Sequence, residues 1–169
     1  MTMASRIAVM SEGRFLQVGA PRAIYETPAT RFVADFIGNV NLMDGTLTDD
    51  QPDHVVIDCA DCRHYVGHGI TGTEGMAVTV ALRPEKICIG RDLLPPSHGE
   101  STGGLNRVQG TVKDLSYFGS FTVYHLTLAS GMVLKISASN TERHREDQLT
   151  WGDTAWASWS PDAQVVLTA

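Results

Sequence analysis

Asn106-Arg-Val-Gln-Gly-Thr-Val-Lys-Asp-Leu-Ser116 is followed by Phe121-Thr-Val-Tyr-His-Leu-Thr-Leu-Ala129 and then by Met132-Val-Leu-Lys-Ile-Ser-Ala138. These three runs are rich in Val, Leu, Ile and Thr, and Gly and Ser lie between them. Residues of the first kind favour strands, whereas Gly and Ser favour the turns that join them. This stretch therefore predicts three consecutive strands connected by close turns, and it sets the fold class as mainly β.

The same alternation of strand-favouring runs and turn residues continues on both sides of this stretch, and it begins after Asn41. Further strands are predicted near 44–48, 54–59, 63–67, 76–83, 87–90, 154–159 and 164–168. Between them, Asp92 to Gly104 contains two adjacent Pro and several Gly and Ser, which predicts a loop or linker. The two β-rich stretches, about 44–90 and 106–169, could be interleaved halves of one unit, and we identify no fixed-period repeat. Many short strands of this kind predict a small barrel or sandwich.

The first 43 residues differ in both predicted structure and charge. Ile7–Met10 and Arg14–Val18 predict a hairpin, Pro21 opens a short helix through about Tyr25, and a second helix is predicted from about Thr30 to Ile37. This leader carries four basic and three acidic residues, a net charge of +1, whereas residues 44–169 carry nine basic and 16 acidic residues, a net charge of −7. The sequence thus predicts two parts, an α/β leader over 1–43 and a β-domain over 44–169.

Composition excludes several classes of function. The net charge of −6 argues against a nucleic-acid partner, because nucleic acid requires a basic surface. None of the three lysines, Lys86, Lys113 and Lys135, follows a glycine, so this chain has no phosphate-binding P-loop. No apolar run approaches the roughly 18 residues of a membrane-spanning helix. Three cysteines are few and odd in number, which favours a reduced, cytosolic protein over a disulfide-bonded secreted one.

The densest set of potential metal ligands lies at His54, Cys59, Cys62, His64 and His68. A Cys-x-x-Cys with nearby histidines can bind zinc, but the usual second ligand pair a dozen or more residues away is missing. A redox Cys-x-x-Cys needs a helix N-terminus to lower a thiol pKa, and no helix is predicted here. We interpret the set as a structural hairpin whose His and Cys side chains point to different faces. Adventitious metal binding and redox chemistry are the alternatives.

Four other features have ordinary structural interpretations. Gly103-Gly104 lacks the strand and helix of a phosphate-binding turn and is interpreted as linker. His125 has no orienting partner or nucleophile at a recognisable spacing, so we expect a half-exposed sheet residue. Thr141–Asp147 is a mixed charge run, interpreted as a solvated surface or interface turn. Three tryptophans, Trp151, Trp156 and Trp159, are expected to be core or dimer-interface aromatics.

The leader resembles a known family. Met1-Thr-Met-Ala-Ser-Arg-Ile-Ala-Val-Met-Ser-Glu-Gly-Arg-Phe-Leu-Gln-Val-Gly-Ala-Pro-Arg-Ala-Ile-Tyr25 and the Phe-Val-Ala-Asp-Phe-Ile-Gly string at 32–38 are similar to the end of the nucleotide-binding domain in ABC-importer ATPases. In that family the string follows a switch histidine, which would lie about six residues before Met1. The resemblance implies that this chain is the C-terminal piece of a longer ATPase, and that ATP and Mg²⁺ bind to the missing upstream domain.

The remainder resembles the transport-associated OB-fold region that such ATPases carry. Ala81-Leu-Arg-Pro-Glu-Lys-Ile87 matches the family's Arg-Pro-Glu motif, and Gly110–Gly119 and Tyr124–Leu128 match a later strand pair. Among the importers the polyamine branch is the most similar, and the tail around Arg143–Arg145, Thr150–Asp153 and Val165–Thr168 resembles its putrescine-specific members. The resemblance implies an OB-fold-like small barrel.

The resemblance also implies a role. In the family, the ATPase is a homodimer beneath two membrane permease subunits, cytoplasmic and peripheral to the inner membrane, and the appended β-domains hold the dimer together and can bind regulators. This chain would be a non-catalytic regulatory and dimerisation domain, with no catalytic, cofactor or metal residues of its own. We expect Arg83 and Glu85, which flank Pro84 at a strand end, to fix the turn and to meet opposite charges across the domain, with contact to a ligand as the alternative.

Two further expectations concern ligand binding by the β-domain and the packing of the leader. A polyamine is cationic, so the acidic β-domain could bind one as a regulator through Asp114, Glu142 and Asp153. Without its nucleotide-binding partner, the leader is expected to be poorly ordered or to pack against another chain. The alternative function is a free-standing OB protein that binds a small ligand, such as an oxyanion or metal sensor. The leader argues against this alternative, because a free-standing protein would not need it.

Overall fold

The structure is a computed structural model, and it describes residues 3–92, 106–140 and 148–168. The predicted linker glycines Gly103 and Gly104, the charge run Thr141–Asp147 and Glu142 within it lie outside these residues. The strands are β1 (Ile7–Ser11), β2 (Arg14–Gly19), β3 (Asn41–Asp50), β4 (Val55–Cys59), β5 (Arg63–Val66), β6 (Ala77–Leu82), β7 (Cys88–Gly90), β8 (Arg107–Tyr117), β9 (Phe121–Thr127), β10 (Val133–Ser139), β11 (Thr154–Ser158) and β12 (Gln164–Leu167). The helices are α1 (Pro21–Glu26) and α2 (Arg31–Phe36), with 3₁₀ turns at Pro84–Lys86 and Pro161–Ala163.

The leader folds as the sequence predicts, into a hairpin followed by two short helices. Pro21 occupies the first turn of α1, where a missing N–H costs nothing. The hydroxyl of Thr30 accepts a hydrogen bond from the Val33 N–H and caps α2. Ile24 and Val33 pack against Val9 of the hairpin in a small core of their own. The leader therefore has enough buried apolar surface to hold its elements together.

The β-domain consists of two antiparallel five-stranded sheets. One has the order β12-β6-β3-β4-β5 and the other the order β10-β9-β8-β11-β7. Their inward side chains form one continuous core, in which Ile57, Leu82, Leu126 and Leu134 are fully buried. The chain is therefore mainly β with curled, OB-like sheets, as predicted.

The two halves exchange their last strands. Strand β7 follows the first half in sequence but pairs with β11 of the second half, and β12 follows the second half but pairs with β6 of the first. In each half a 3₁₀ turn that begins with proline, at Pro84 or Pro161, leads into the exchanged strand. Interleaving, which the sequence left open, is thus a strand exchange between two halves built on the same plan.

The halves also share a short sequence repeat, although its period is not fixed. Asn41–Asp49 and Asn106–Asp114 align at a spacing of 65, with Asn, Gly, Thr and Asp in common. Both segments carry a register shift at the same point, between Leu47 and Asp49 and between Val112 and Asp114. The spacing then grows, since Leu82 and Trp159 pair with the two repeated asparagines but lie 77 apart. Unequal loops hide the repeat from a search for a fixed period.

The leader packs on its own chain, which corrects the expectation of a poorly ordered or exchanged leader. Ala34 of α2 lies against Ala81 and Leu167 on the outer face of the first sheet, and all three are buried. Partly buried Val40, Leu42 and Val165 surround this contact. The β-domain thus supplies the leader with an apolar surface that was not evident from its sequence.

Candidate functional site

The junction between leader and β-domain is held by Arg83, at the end of β6. Its guanidinium is buried, and Nη1 donates to the carbonyl oxygens of Ala34, Gly38 and Asn39 at 3.2, 3.2 and 3.0 Å. Nη2 donates to the carbonyl of Tyr25 at 3.1 Å, and the guanidinium carbon lies 4.0 Å from the centre of the Tyr25 ring. The last carbonyls of a helix have no partner within the helix and carry partial negative charge. One side chain of the β-domain therefore caps the ends of both leader helices.

The next residues of the motif extend the same contact. The hydroxyl of Tyr25 donates to Oε1 of Glu85 at 2.5 Å, and Lys86 forms an ion pair with Glu26. Burial, and then the hydrogen bond to Glu85, raise the pKa of Tyr25 to about 12. Pro84 starts the 3₁₀ turn that points both side chains toward α1. We call Arg83, Glu85 and Lys86 with Tyr25 and Glu26 the clasp.

The clasp corrects the expected role of the motif in one respect. Arg83 and Glu85 do fix a strand end, but neither meets an opposite charge. Arg83 binds neutral carbonyls, and Glu85 accepts from a phenol. Carbonyls suit Arg83 because its planar guanidinium offers five N–H donors in fixed directions, enough for several helix ends at once. The clasp therefore joins both leader helices to the end of β6.

Two of the acidic residues proposed to bind a polyamine, Asp114 and Asp153, lie in the described part of the chain and are engaged within it. Oδ1 of Asp114 accepts from the Trp151 indole N–H at 3.2 Å, and Oδ2 of Asp153 accepts from Arg91 at 2.7 Å and from the Thr150 N–H at 2.8 Å. The backbone donor at Thr150, with the Arg91 bond second, lowers the pKa of Asp153. Each carboxylate therefore has at least one oxygen committed to a partner in its own chain.

The Cys and His cluster is a hairpin, as interpreted. The prediction that its His and Cys side chains point to different faces is wrong for Cys62 and His64. Cys59 and Cys62 flank the turn with their thiols free, and burial raises the pKa of each to about 12. Residues two apart on a strand share a face, so Sγ of Cys62 lies 3.3 Å from Nε2 of His64. Across the described segments, no group of three His, Cys, Asp or Glu is arranged to hold a metal.

His64 belongs to a buried polar network that sequence reasoning missed. Oε1 of Gln164 accepts from the Trp159 indole N–H at 3.0 Å, and Nδ1 of His64 lies 2.8 Å from the same oxygen. Since that oxygen can only accept, Nδ1 of His64 carries the proton, and Nε2 accepts from the Cys62 thiol. Gln164 also donates to Oδ1 of Asn106 at 3.0 Å. The network joins β5 to the exchanged strand β12.

The two repeated asparagines perform the same task in their halves. Asn106 accepts from the Tyr65 N–H at 2.8 Å and donates to the Tyr65 carbonyl at 2.7 Å. Asn41 makes the matching pair with the N–H and carbonyl of Lys135, each at 2.8 Å. Each amide thus replaces a neighbouring strand along the edge of β5 or β10. An Asn at the start of both repeated segments was the signal for this, visible only once the repeat is known.

The remaining aromatic and histidine candidates fall in different environments. Trp159 is buried in the core as expected, Trp156 is half-buried, and Trp151 is exposed. His125 is a half-buried sheet residue, as expected, paired in register with Asp114 and Lys135. The dimer-interface alternative for the tryptophans stays a prediction.

Comparisons with known proteins agree with this architecture. The TOBE domain family matches residues 80–167, more than half of the chain. The putrescine transport ATP-binding protein PotG of Escherichia coli is 41% identical over 99% of this chain, and the spermidine/putrescine import ATP-binding protein PotA of Thermobifida fusca is 35% identical over 99%. The chain spans only 43% and 41% of these relatives.

A solved structure supports the fold. The cytoplasmic molybdate-binding protein ModG superposes with a TM-score of 0.62 over 76% of this chain and 96% of its own, at 16% identity, which concerns the fold alone. No described helix is long and apolar enough to cross a membrane. The resemblance to ATP-binding subunits of polyamine importers is confirmed by the relatives, and the matched segment spans both sheets from β6 to β12. The chain belongs to the TOBE domain family.

Proposed function

We propose that this chain is the non-catalytic regulatory and dimerisation part of an ATP-binding subunit in a putrescine or related polyamine importer. The complete subunit would hydrolyse ATP with Mg²⁺ on a nucleotide-binding domain, and it would sit at the cytoplasmic side of the inner membrane beneath two permease subunits. The similarity to PotG and PotA along the whole chain supports this context.

The clasp is the observation that carries the proposal. It ties both helices of the leader to the strand end that bears the Arg-Pro-Glu motif, through four carbonyl bonds to Arg83. The leader meanwhile keeps large apolar side chains on its free surface: Met10 lies opposite Phe15 on the hairpin, and Phe32 stacks on Phe36 at 5.7 Å. Such a surface fits contact with a further domain. A movement of that domain would reach the β-domain through the clasp.

A chimera tests this proposal in a working transporter. Residues 1–169 replace the matching segment of Escherichia coli PotG, and putrescine uptake is measured in cells that lack the native subunit. We expect the chimera to restore uptake, and Arg83→Met to reduce it several-fold at equal protein level, because the leader is then no longer capped. Lys135→Met, on the exposed side of β10, is the matched control and should retain uptake.

A chimera that accumulates normally but restores no uptake would contradict the proposal. Binding of putrescine by Asp114, Glu142 and Asp153 is a separate part of it, tested by calorimetric titration of putrescine into the chain. Heat that disappears in Asp114→Asn would support a regulatory diamine site. No heat at millimolar putrescine would remove that part and leave the coupling role intact.

A further inference from the structure

Cys62, His64 and Gln164 form a chain of hydrogen bonds that begins at a thiol. The Cys62 thiol donates to Nε2 of His64 at 3.3 Å, and Nδ1 of the same imidazole donates to Oε1 of Gln164 at 2.8 Å. The imidazole is fully buried, and its centre lies 5.4 Å from that of the Trp159 ring, so its orientation is fixed. A nucleophilic thiol, its general base and a group that orients the base are arranged in this order.

A second thiol faces the first across the hairpin turn. The Cys59 N–H donates to the Cys62 carbonyl at 3.1 Å, one step beyond the paired residues Asp58 and Arg63. Such hydrogen-bonded residues of antiparallel strands have Cα atoms about 5.5 Å apart, within the range that a disulfide requires. Sγ of Cys59 lies 3.8 Å from the Met43 carbonyl oxygen, and rotation about the Cα–Cβ bond turns it toward Cys62. Both cysteines are half-buried, so a small reagent can reach the pair.

The equivalent places around the second sheet carry none of this chemistry. There the hairpin between β9 and β10 is closed by the same type of bond, from the Leu128 N–H to the Met132 carbonyl at 2.8 Å. The two thiols, the imidazole and the amide correspond in order to Leu128, Met132, Leu134 and Ile87, all of them apolar. The shared fold therefore does not require polar or nucleophilic side chains at these four places.

We propose that Cys59 and Cys62 are an oxidisable pair, in which Cys62 attacks a small organic disulfide such as oxidised glutathione and His64 accepts the thiol proton. In the first step the Cys62 sulfur bonds to one sulfur of the oxidant, the S–S bond of the oxidant breaks, and the departing sulfur takes the proton from Nε2. In the second step the Cys59 sulfur displaces the remaining half of the oxidant, which leaves as a second small thiol. The protein loses two hydrogens and the oxidant gains them.

The histidine supplies a reactivity that ionisation of the thiol alone would not. Burial raises the pKa of both thiols to about 12 and lowers the pKa of His64, so the pair of neutral thiol and neutral imidazole is the dominant form near neutral pH. An imidazole at hydrogen-bond distance takes the proton as the sulfur attacks, in the way that an adjacent base activates a serine. The redox interpretation, which the sequence left as an alternative, thus does not depend on a helix N-terminus.

Oxidation changes the buried network that holds β12. Among the described residues the Cys62 thiol is the donor to Nε2 of His64, and a disulfide sulfur has no hydrogen to donate. A buried acceptor without a donor is unfavourable, and Gln164 connects this imidazole to β12. Leu167 of β12 packs against Ala34 of α2. The oxidation state of the pair therefore reaches the surface on which the leader rests.

Oxidised glutathione tests the reaction on the full chain in a Cys88→Ser background. We expect mass spectrometry to show an intramolecular product that lacks two hydrogens, formed at a rate that does not change between about pH 7 and pH 9. His64→Leu places at the base position the residue found in the second half. Its oxidation should be at least tenfold slower at about pH 7 and should rise about tenfold per pH unit, because only the thiolate then reacts. Cys59→Ser should stop at a mixed disulfide on Cys62.

The second half supplies the matched control. Leu128→Cys/Met132→Cys, in a chain whose own cysteines are replaced by serine, places two thiols at the equivalent turn without a base, and its oxidation should follow the pH dependence of His64→Leu. Circular dichroism establishes that each variant folds. Hydrogen exchange on the oxidised chain should show at least a tenfold loss of protection in β12 and α2, with β8 and β9 unchanged.

Three results would overturn this inference. They are two thiols that stay free in oxidised glutathione, a His64→Leu chain that reacts as fast and with the same pH profile as the unmodified chain, and equal protection of β12 in the reduced and oxidised chains. None of these measurements depends on the transport role, which the PotG chimera tests separately.

Discussion

The two halves of the β-domain share one arrangement of strands but carry different side chains at several equivalent positions. Each has four strands, a 3₁₀ turn that begins with proline and an exchanged fifth strand, and each begins with a buried asparagine that brackets one residue of an edge strand. The first half ends its fourth strand with Arg83, which grips the leader, whereas the second half has Ser160 at that place. The features that occur in both halves maintain the barrel, whereas the contacts of Arg83 occur in one half and hold the leader.

Among the described residues, three features distinguish the halves: the clasp on the first half, the exposed rings of Tyr117, Phe118 and Phe121 on the second, and the His64 network between them. His64 corresponds to Leu134, since Tyr65 and Lys135 are the residues that the two asparagines bracket. Both side chains are fully buried. The same position of the fold thus accepts an imidazole in one half and a leucine in the other.

Removing the bracketing asparagines should have the largest effect on stability. Asn41→Ala leaves the buried edge groups of Lys135 without partners, and we expect a loss of about 3 kcal/mol in the free energy of unfolding. Asn106→Ala should cost about 4 kcal/mol, because Gln164 also loses its acceptor and φ of Asn106 is +56°. Urea unfolding measures both. Asn106→Gly removes the backbone strain but not the loss of hydrogen bonds, so its free energy of unfolding should lie between those of Asn41→Ala and Asn106→Ala. If all three variants were as stable as the unmodified chain, the asparagine hydrogen bonds to Tyr65 and Lys135 would not stabilise the fold.

Gly45 and Gly110 occupy equivalent positions in the two halves, and substituting them tests whether both positions are equally closely packed. A Cβ at Gly45 would lie 2.6 Å from the Asp58 carbonyl oxygen, and one at Gly110 would lie 2.7 Å from that of Thr127. Backbone cannot move aside as a side chain can, so Gly45→Ala and Gly110→Ala should each cost about 2 kcal/mol. Gly19→Ala is the matched control for chain entropy, because its φ is not left-handed and a Cβ there would meet its nearest atom, in the Ile24 side chain, at an ordinary 3.5 Å. Thermal unfolding measures the effect. If only one of the two variants were destabilised, the two equivalent positions would differ in packing.

Breaking the clasp should loosen the leader without unfolding the barrel. Arg83→Met leaves four carbonyls uncapped, so the amides of residues 21–40 should lose about tenfold or more of their protection from hydrogen exchange, on the order of 1.4 kcal/mol. The amides of β8 and β9 should keep theirs. Ser160→Met, at the corresponding place of the second half, should change neither region. Equal loss of protection throughout the chain would mean that leader and barrel unfold as one unit.

The strand pattern was predictable because alternation and turn residues are local signals. The strands of residues 106–138 lie where the sequence placed them, and so do both leader helices. The sequence could not reveal that Arg83 binds helix ends 44 to 58 residues away, because main-chain carbonyls have no sequence signature. Nor could it show that Gln164 meets His64 across 100 residues, since that contact exists only after the strands are exchanged.

The smallest expected effect is a pH dependence of stability that arises from His64 in the first half. Burial holds the pKa of His64 below its ordinary value of 6.5, although the hydrogen bond to Gln164 opposes this. The unfolded chain therefore binds more protons than the folded chain below about pH 6.5, so the stability that neutral His64 allows is present above that pH and declines as the pH falls toward the folded pKa. Carboxylates with lowered pKa values, such as Asp44, titrate in a separate window below 3.8.

His64→Leu makes the first half resemble the second at this position and should remove the decline in stability that begins below about pH 6.5. Gln164 keeps the Trp159 indole as a donor to its oxygen, so the variant should still fold. Urea midpoints measured across this range for both proteins provide the comparison. If the two curves ran parallel, the imidazole would be accommodated in its charged form, and Sγ of Cys62, 3.3 Å from Nε2, would have to accept the second ring N–H instead of donating to it.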